Sequence, residues 1–239
     1  IPMPNHVQNK LKFIGAKAQI KAAMESIQGE KDKEGFIPRI DFNKILPMPG
    51  SLNVESGTLG ETAAKVLFGS SADISTMGFP SFVSESEDIK RFRAWNTETQ
   101  KKAIELAFAY KENKEKYGYT TWYNWSCNNW GTKWNAYQTP DQRDENDTIF
   151  FQTAWSAPLP VIEALSKKFP NLTFEIEWAD EDTGSNTGWF RYKNGVVILN
   201  CEFENGSIGA YEMAFKLRPG LEEDYKLIDG NYQYNEEND

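Results

Sequence analysis

The segment 117–137 holds the densest group of side chains that could recognise a ligand. Exposed aromatic rings stack on sugars and nucleobases, whereas inward-facing rings fill a core. Trp130 and Trp134 differ by an even number, so on one strand they share a face and we expect them to pack in the core. Trp122 and Trp125 stand among polar residues, so we expect them to be exposed. The candidate ligand-binding residues are Trp122, Trp125, Trp130, Trp134 and Tyr137.

Carboxylates elsewhere in the chain offer hydrolysis as an alternative. Glycoside hydrolysis needs two carboxyl groups at a defined separation. The candidates are Glu175, Glu177, Asp180 and Glu202. Glu175 and Glu177 fall on one face of a predicted strand, where carboxylates commonly face water, and no spacing fixes a catalytic pair. We therefore assign no catalytic residue, and a carbohydrate-active or other hydrolytic enzyme stays an alternative.

Histidine and cysteine are too scarce for several kinds of site. His6 is the only histidine, and the two cysteines, Cys127 and Cys201, are isolated in sequence. No Cys/His metal cluster can therefore form within one chain, and a serine–histidine triad would depend on His6. The acidic turn 180–182 lacks the ligand spacing of a calcium loop. We expect neither a metal nor a cofactor.

The net charge of −9 is confined to one end of the chain. Residues 171–239 hold 5 basic and 15 acidic side chains, a charge of −10, whereas residues 1–170 hold 21 basic and 20 acidic ones. This balance argues against broad attachment to nucleic acid or anionic membranes. The longest aliphatic run, Val196 to Leu199, is too short to span a membrane, which takes about 20 residues. Single-stranded nucleic-acid binding stays a further alternative, and it would use the basic run Lys90, Arg91, Arg93, Lys101 and Lys102.

Periodicity predicts the elements that position these residues. Strands are expected at 7–14, 36–42, 128–137, 148–155, 172–178, 189–193 and 196–203. Helices are expected at 16–28, 61–68, 85–95, 98–117 and 158–168. Ser84 with Glu87 and Thr97 with Gln100 fit the capping box, and Asn194-Gly195 marks a hairpin. The order predicts an α+β fold in which a mainly antiparallel sheet has helices on one face.

Three sequence blocks carry a resemblance to a known family. They are Met-Pro-Asn-His-Val at 3–7, Trp-Gly-Thr-Lys-Trp-Asn-Ala-Tyr at 130–137, and Thr-Ala-Trp-Ser-Ala-Pro at 153–158, which is followed by Pro-Val-Ile at 160–162 and Leu-Ser at 165–166. In this order they resemble the YubB-like or Api-like family of plasmid- and phage-borne proteins. This sequence departs from the family pattern at one position, where it has Ala157 in place of a second proline. The resemblance implies a ferredoxin-like C-terminal domain, an origin in mobile DNA and no assigned activity.

These observations predict an organisation and a function. We expect a mixed N-terminal region at 1–118, a ferredoxin-like domain at 119–219 and a solvated acidic tail at 220–239, part of which tyrosines could dock. The start of the chain lacks the features of a signal peptide, so we expect a cytoplasmic protein. The lead hypothesis is a non-catalytic binding or protein-interaction module with a protein partner, without nucleic acid, membrane or metal.

Overall fold

The computed structural model describes residues 5–69 and 85–235. The chain divides into two compact units, one made of Ile1–Pro47 with Asn129–Asp239 and the other of Met48–Asn128. We call them the sheet unit and the helical unit. The sequence predicts domain boundaries at residues 118 and 219. A domain in that sense folds by itself, whereas a compact unit is defined by its contacts, so these boundaries stay predictions.

The helices and strands follow one another along the chain as β1 (His6–Ile14), α1 (Lys17–Ile27), α2 (Thr58–Phe68), α3 (Glu85–Ala94), α4 (Thr97–Tyr117), α5 (Trp122–Asn129), β2 (Thr148–Ala154), α6 (Leu159–Lys168), β3 (Thr173–Asp180), β4 (Gly188–Lys193), β5 (Val196–Glu202), α7 (Ile208–Leu217), β6 (Tyr225–Ile228) and β7 (Asn231–Tyr234). Short 3₁₀ turns lie at Phe42–Lys44, Gly50–Leu52 and Leu221–Asp224.

β1 is an interior strand of the sheet unit and pairs with β2 on one side and β3 on the other. Within the described residues, the main sheet has five strands in the order β2-β1-β3-β4-β5, and every neighbouring pair is antiparallel. Leu11 stands opposite Ile149 on one side and Ile176 on the other, and all three are buried. β2 and β3 therefore run parallel with β1 between them and are joined through α6, which is the split β-α-β arrangement of ferredoxin-like folds.

Helices cover both faces of this sheet. Leu159, at the start of α6, packs against a cluster that includes Val7 and Trp178 on one face. On the opposite face, Ala214 and Leu217 of α7 pack against Ala179 of β3. The α+β class and the antiparallel sheet are confirmed, and α7, which was not predicted, adds a helix on the second face.

In the helical unit, α2 and α4 share a core of small residues. Ala63 and Ala64 pack with Ala103 and Ala107 around the buried ring of Tyr110. The Tyr110 hydroxyl donates to the carbonyl of Glu55 at 2.5 Å. The predicted helices at 85–95 and 98–117 are confirmed as α3 and α4.

One of the two predicted helix caps is shifted by a residue. Asn96, rather than Thr97, caps α4 by accepting from the Thr99 amide at 2.8 Å. The other predicted cap, Ser84, lies outside the described residues.

Two predicted strands are absent from the described chain. Residues 36–42 form a loop, because the Pro38 carbonyl accepts from Gly29 and the Asp41 amide donates to Ile27, so these groups bond to the end of α1 rather than to a ladder. Of the other predicted strand, residues 128 and 129 end α5 and residues 130–137 are irregular, with a single bridge that pairs Tyr137 with Gln152.

The acidic end of the chain is partly docked rather than solvated throughout. β6 and β7 form a hairpin, in which Tyr225 and Tyr232 contact the rings of Tyr211 and Phe215 on α7. Residues 236–239 of the predicted tail lie outside the described residues. The apolar rings therefore hold a segment that composition alone suggested would face water.

Candidate functional site

The five candidate aromatic residues belong to different units. Trp122 and Trp125 lie on α5 in the helical unit, whereas Trp130, Trp134 and Tyr137 lie in the sheet unit. Trp125 is buried, so its predicted exposure is wrong, and Trp122 is half-buried. A helix rather than a loop carries both residues, which turns Trp125 inward.

Trp130 is a core residue, as expected, although no strand carries it. Its indole Nε1 donates to the carbonyl of Leu46 at 2.8 Å, and its ring meets the edge of Phe42 with centroids 5.7 Å apart. The buried ring is therefore packed and its polar atom is satisfied. Trp130 joins two parts of the sheet unit and does not offer a surface for a ligand.

Lys133 lies between two tryptophan rings. Its Nζ is 4.6 Å from the Trp134 centroid and 4.7 Å from the Trp155 centroid, and the residue is 4% exposed. Cation–π attraction of this kind is strongest where water is excluded. Both rings thus already hold a cation, and stacking on a ligand would have to compete with Lys133.

Trp155 has an unusual backbone conformation. Its φ is 75°, a left-handed value that costs a bulky residue about 1–3 kcal/mol. Hydrogen bonds hold this conformation: the Trp155 amide donates to the Asn5 carbonyl at 2.9 Å, and Asn186 Nδ2 donates to the Trp155 carbonyl at 3.0 Å. Asn5 belongs to the first block of the family resemblance and Trp155 to the third, so these two blocks meet at the strained residue in the sheet unit.

His6 and Tyr137 form a hydrogen-bonded pair beside β2. His6 Nδ1 lies 2.5 Å from the Tyr137 hydroxyl, which donates to the Thr153 carbonyl at 3.0 Å. The hydroxyl therefore lies within hydrogen-bonding distance of both groups, and the tautomer of the imidazole ring decides whether His6 or Tyr137 donates to the other. Burial, followed by repulsion from Glu181, raises the pKa of Tyr137 to about 12. Tyr137 therefore stays protonated at neutral pH and cannot act as a general base there.

Three of the four candidate carboxylates are engaged in the sheet unit. Glu175 accepts from Arg191 Nε at 2.9 Å, and Glu177 accepts from Lys10 and Lys216 at 3.3 and 2.5 Å. Asp180 lies on the other face of β3 and accepts from Asn5 and Asn186, each at 3.0 Å. Glu202 ends β5 and is exposed. The strand register thus separates Asp180 from the Glu175 and Glu177 pair.

Among residues 5–69 and 85–235, no three His, Cys, Asp or Glu side chains are grouped so that they could hold a metal ion. No helix in those same ranges combines the length and the apolar character needed to cross a membrane.

The basic run lies on α3 and α4 of the helical unit. Lys90, Arg91, Arg93, Lys101 and Lys102 are all exposed. Lys102 bonds to Glu55 at 2.5 Å, which neutralises part of the run. These residues are thus accessible, as nucleic-acid binding would require, but they are not a uniformly positive surface.

Sequence reasoning missed an exposed apolar surface, the edge strand β5. Val196, Val197, Ile198 and Leu199 are 60%, 39%, 48% and 50% exposed. β5 pairs with β4 on one side, and no strand of the described chain pairs with its outer edge. The aliphatic run and the Asn194-Gly195 turn predicted the strand, but periodicity does not tell an edge strand from a central one. We call Val196–Glu202 the open edge.

The fold places the protein among α+β proteins with a ferredoxin-like domain. Residues 133–238, which are less than half of the 239-residue chain, match the family model described as the ferredoxin-like domain in Api92-like protein. That family is one of unknown function.

A solved structure titled as a crystal structure of a protein api92 from Yersinia pseudotuberculosis shares 12% sequence identity, with a TM-score of 0.35 over 86% of this chain and 100% of the other. No curated protein matches the chain.

Proposed function

We propose that the chain is a non-catalytic protein-interaction module that pairs with a second copy of itself through the open edge of β5. The observation that carries the proposal is the run of four exposed aliphatic side chains on a strand whose outer backbone groups pair with no other described strand. Pairing would satisfy those backbone groups and remove apolar surface from water.

The open edge lacks the usual protection against pairing by charge. Natural edge strands commonly carry lysine or proline. Between Val196 and Cys201 there is no charged residue and no proline. The register shifts near Arg191 and Tyr192, whose partners are Leu199 and Val197, so Ile198 is an extra residue that forms a bulge. The bulge bends the edge but leaves all four aliphatic side chains exposed.

The position of the charge on β5 favours a second copy in antiparallel orientation. Glu202, at the end of β5, is the one charged residue of the strand. A parallel pair would bring two Glu202 side chains together, whereas an antiparallel pair keeps them at opposite ends of the shared edge. The sequence of β5 is therefore compatible with antiparallel pairing to a copy of itself.

Two further properties that the sequence predicted are part of this proposal. They are an origin in a plasmid or phage, to which the resemblance at the three blocks points, and a cytoplasmic location. The interaction surface differs from the aromatic residues that the sequence singled out, since Trp130 and the two rings beside Lys133 are engaged within the sheet unit.

Light scattering coupled to size-exclusion chromatography, over a wide range of concentrations, tests the proposal. We expect the wild type to be a dimer and Leu199→Lys to be a monomer, because a charge on the open edge opposes apolar pairing. The matched control is Leu227→Lys on β6, where Leu227 is also exposed, at 56%. The control should remain a dimer.

Two outcomes would overturn the proposal. One is a wild type that is monomeric at every concentration. The other is dissociation by Leu227→Lys with a dimeric Leu199→Lys, which would place the interface on the β6–β7 hairpin. Circular dichroism of each variant checks that the fold is retained.

A further inference from the structure

A basic cleft lies on the sheet face that α7 partly covers. It has a volume of about 470 Å³ and is lined by Lys10, Lys12, Arg143, Glu145, Thr148, Phe150, Lys216 and Pro219. This volume is within the usual range for small-molecule sites, about 300–1,000 Å³. The lining holds four cations and one carboxylate, although the chain as a whole carries a net charge of −9.

Two lysines of the cleft share one carboxylate. Glu177 is 6% exposed and accepts from Lys10 Nζ at 3.3 Å and from Lys216 Nζ at 2.5 Å. An ammonium group has three N–H donors, so each lysine keeps donors that Glu177 does not use. The buried carboxylate thus holds two ammonium groups side by side with one positive charge left over.

Lys12 adds a cation without a partner. It is exposed and lies two residues from Lys10, on the same face of β1. Glu175, directly opposite Lys12 on β3, bonds to Arg191 instead. Within the part of the chain that the structure describes, Lys12 forms no ion pair.

Arg143 is held rigidly at the other side of the cleft. Asp141 accepts from Arg143 Nε at 2.8 Å and from Nη2 at 2.7 Å, and Nη1 donates to the Leu217 carbonyl at 2.8 Å. The guanidinium also lies 4.4 Å from the centroid of the Phe150 ring. Arg143 lowers the pKa of Asp141, chiefly through the hydrogen bond that its side chain donates to the carboxylate. Arg143 therefore lines one side of the cleft in a position set by these contacts. The ammonium groups of Lys10, Lys12 and Lys216 supply the hydrogen-bond donors that are available to a ligand.

We propose that this cleft binds a small phosphate-bearing anion. Counting the paired carboxylates Asp141 and Glu177 together with the exposed Glu145, the four cations still exceed the carboxylates by one. Lysine ammonium groups are common phosphate ligands because they act as point charges with several donors. The inference is independent of the open edge, since no residue of β5 lines the cleft.

Titration calorimetry with pyrophosphate on the full chain tests the site. We expect one pyrophosphate per chain, and we expect Lys12→Ala and Lys216→Ala each to weaken binding roughly tenfold, the effect of losing a charge-assisted hydrogen bond. The matched control is Lys21→Ala, an exposed lysine on α1 that pairs with Glu25. It makes the same change of charge away from the cleft and should leave binding unchanged.

A second variant moves binding in the opposite direction. Glu177→Gln removes the carboxylate that Lys10 and Lys216 share, so it should tighten pyrophosphate binding. A folding defect in this variant would instead weaken pyrophosphate binding.

Three outcomes overturn the proposal. They are no binding by the wild type, equal weakening by Lys21→Ala, and tighter binding of a single-stranded oligonucleotide that the same cleft variants weaken, which would make the ligand a polymer.

Discussion

Tyr137, which is half-buried, and Tyr192, which is buried, are tyrosines whose hydroxyl groups have different surroundings. Burial is the main cause that raises the pKa of each to about 12. The Tyr137 hydroxyl bonds to His6 and to the Thr153 carbonyl, whereas the Tyr192 hydroxyl forms no hydrogen bond with the described residues. Replacing each tyrosine by phenylalanine therefore separates the contribution of the hydroxyl hydrogen bonds to stability from the contribution of the ring.

Removal of the Tyr137 hydroxyl should destabilise the protein. Tyr137→Phe leaves His6 Nδ1 and the Thr153 carbonyl without the hydroxyl as a partner, which costs about 1–3 kcal/mol when such groups are buried. Tyr192→Phe is the matched control and should lower the free energy of unfolding by much less. Urea unfolding at neutral pH measures both. Equal losses in the two variants would show that the hydrogen bonds of Tyr137 contribute little.

The burial and the hydrogen-bond partners of single residues could be predicted only where neighbouring residues in the sequence determine them. The core position of Trp130 was predicted from its spacing to Trp134, but its burial depends on the Leu46 carbonyl, far away in sequence. The pair of His6 and Tyr137 is likewise a consequence of strand register, since β1 must pair with β2 before the two rings meet. No local pattern holds that information.

Gly188 allows β3, β4 and β5 to approach one another closely. A Cβ atom at this position would lie 2.6 Å from the Trp178 ring and 2.8 Å from the Cys201 carbonyl oxygen. Neither neighbour can move easily, because one is a buried ring and the other is the backbone of the paired strand. The glycine is needed for space, as its φ lies outside the left-handed region.

Gly188→Ala should therefore disrupt the edge of the main sheet. Overpacking of this kind costs about 1–3 kcal/mol. The matched control, Gly50→Ala, adds the same methyl group where no atom lies within 4 Å. Thermal unfolding followed by circular dichroism should show a clear loss for the first variant and almost none for the second. A thermal midpoint that does not fall in Gly188→Ala would contradict the packing argument.

Elements were predictable where side-chain periodicity matched the final burial. β1 to β5 follow alternation or an aliphatic run, and α4 follows a stripe that includes Ala103, Ala107 and Tyr110. The segment 122–129 was missed as a helix because its tryptophans, serine and asparagines form no regular apolar stripe. The exposure of β5 was missed because four aliphatic residues in sequence are typical of a buried strand.

At the scale of the whole molecule, the sheet unit is interrupted by the helical unit. The chain leaves the sheet unit after Pro47 and returns at Asn129. The two crossing points are close together, because Trp130 Nε1 donates to the Leu46 carbonyl at 2.8 Å. A short connection can therefore join the two parts of the sheet unit.

We expect the sheet unit to fold without residues 48–128. A variant in which a short Gly/Ser linker replaces these residues should give a cooperative thermal transition, and it should still dimerise because the open edge is retained. Circular dichroism and light scattering measure the two properties. A variant that is unfolded under the conditions in which the full chain is folded would show that the units depend on each other.

The position of β1 between β2 and β3 has a consequence for synthesis on the ribosome. Its two partner strands begin at Thr148 and Thr173, so β1 is made long before either neighbour exists. At about 5–20 residues per second, roughly 7 to 27 seconds pass before β2 begins to emerge. During that time Val7, Leu11 and Phe13 lack their sheet partners, so the nascent chain carries an unpaired apolar strand. Protection of that strand by a chaperone therefore matters most while the helical unit is being translated.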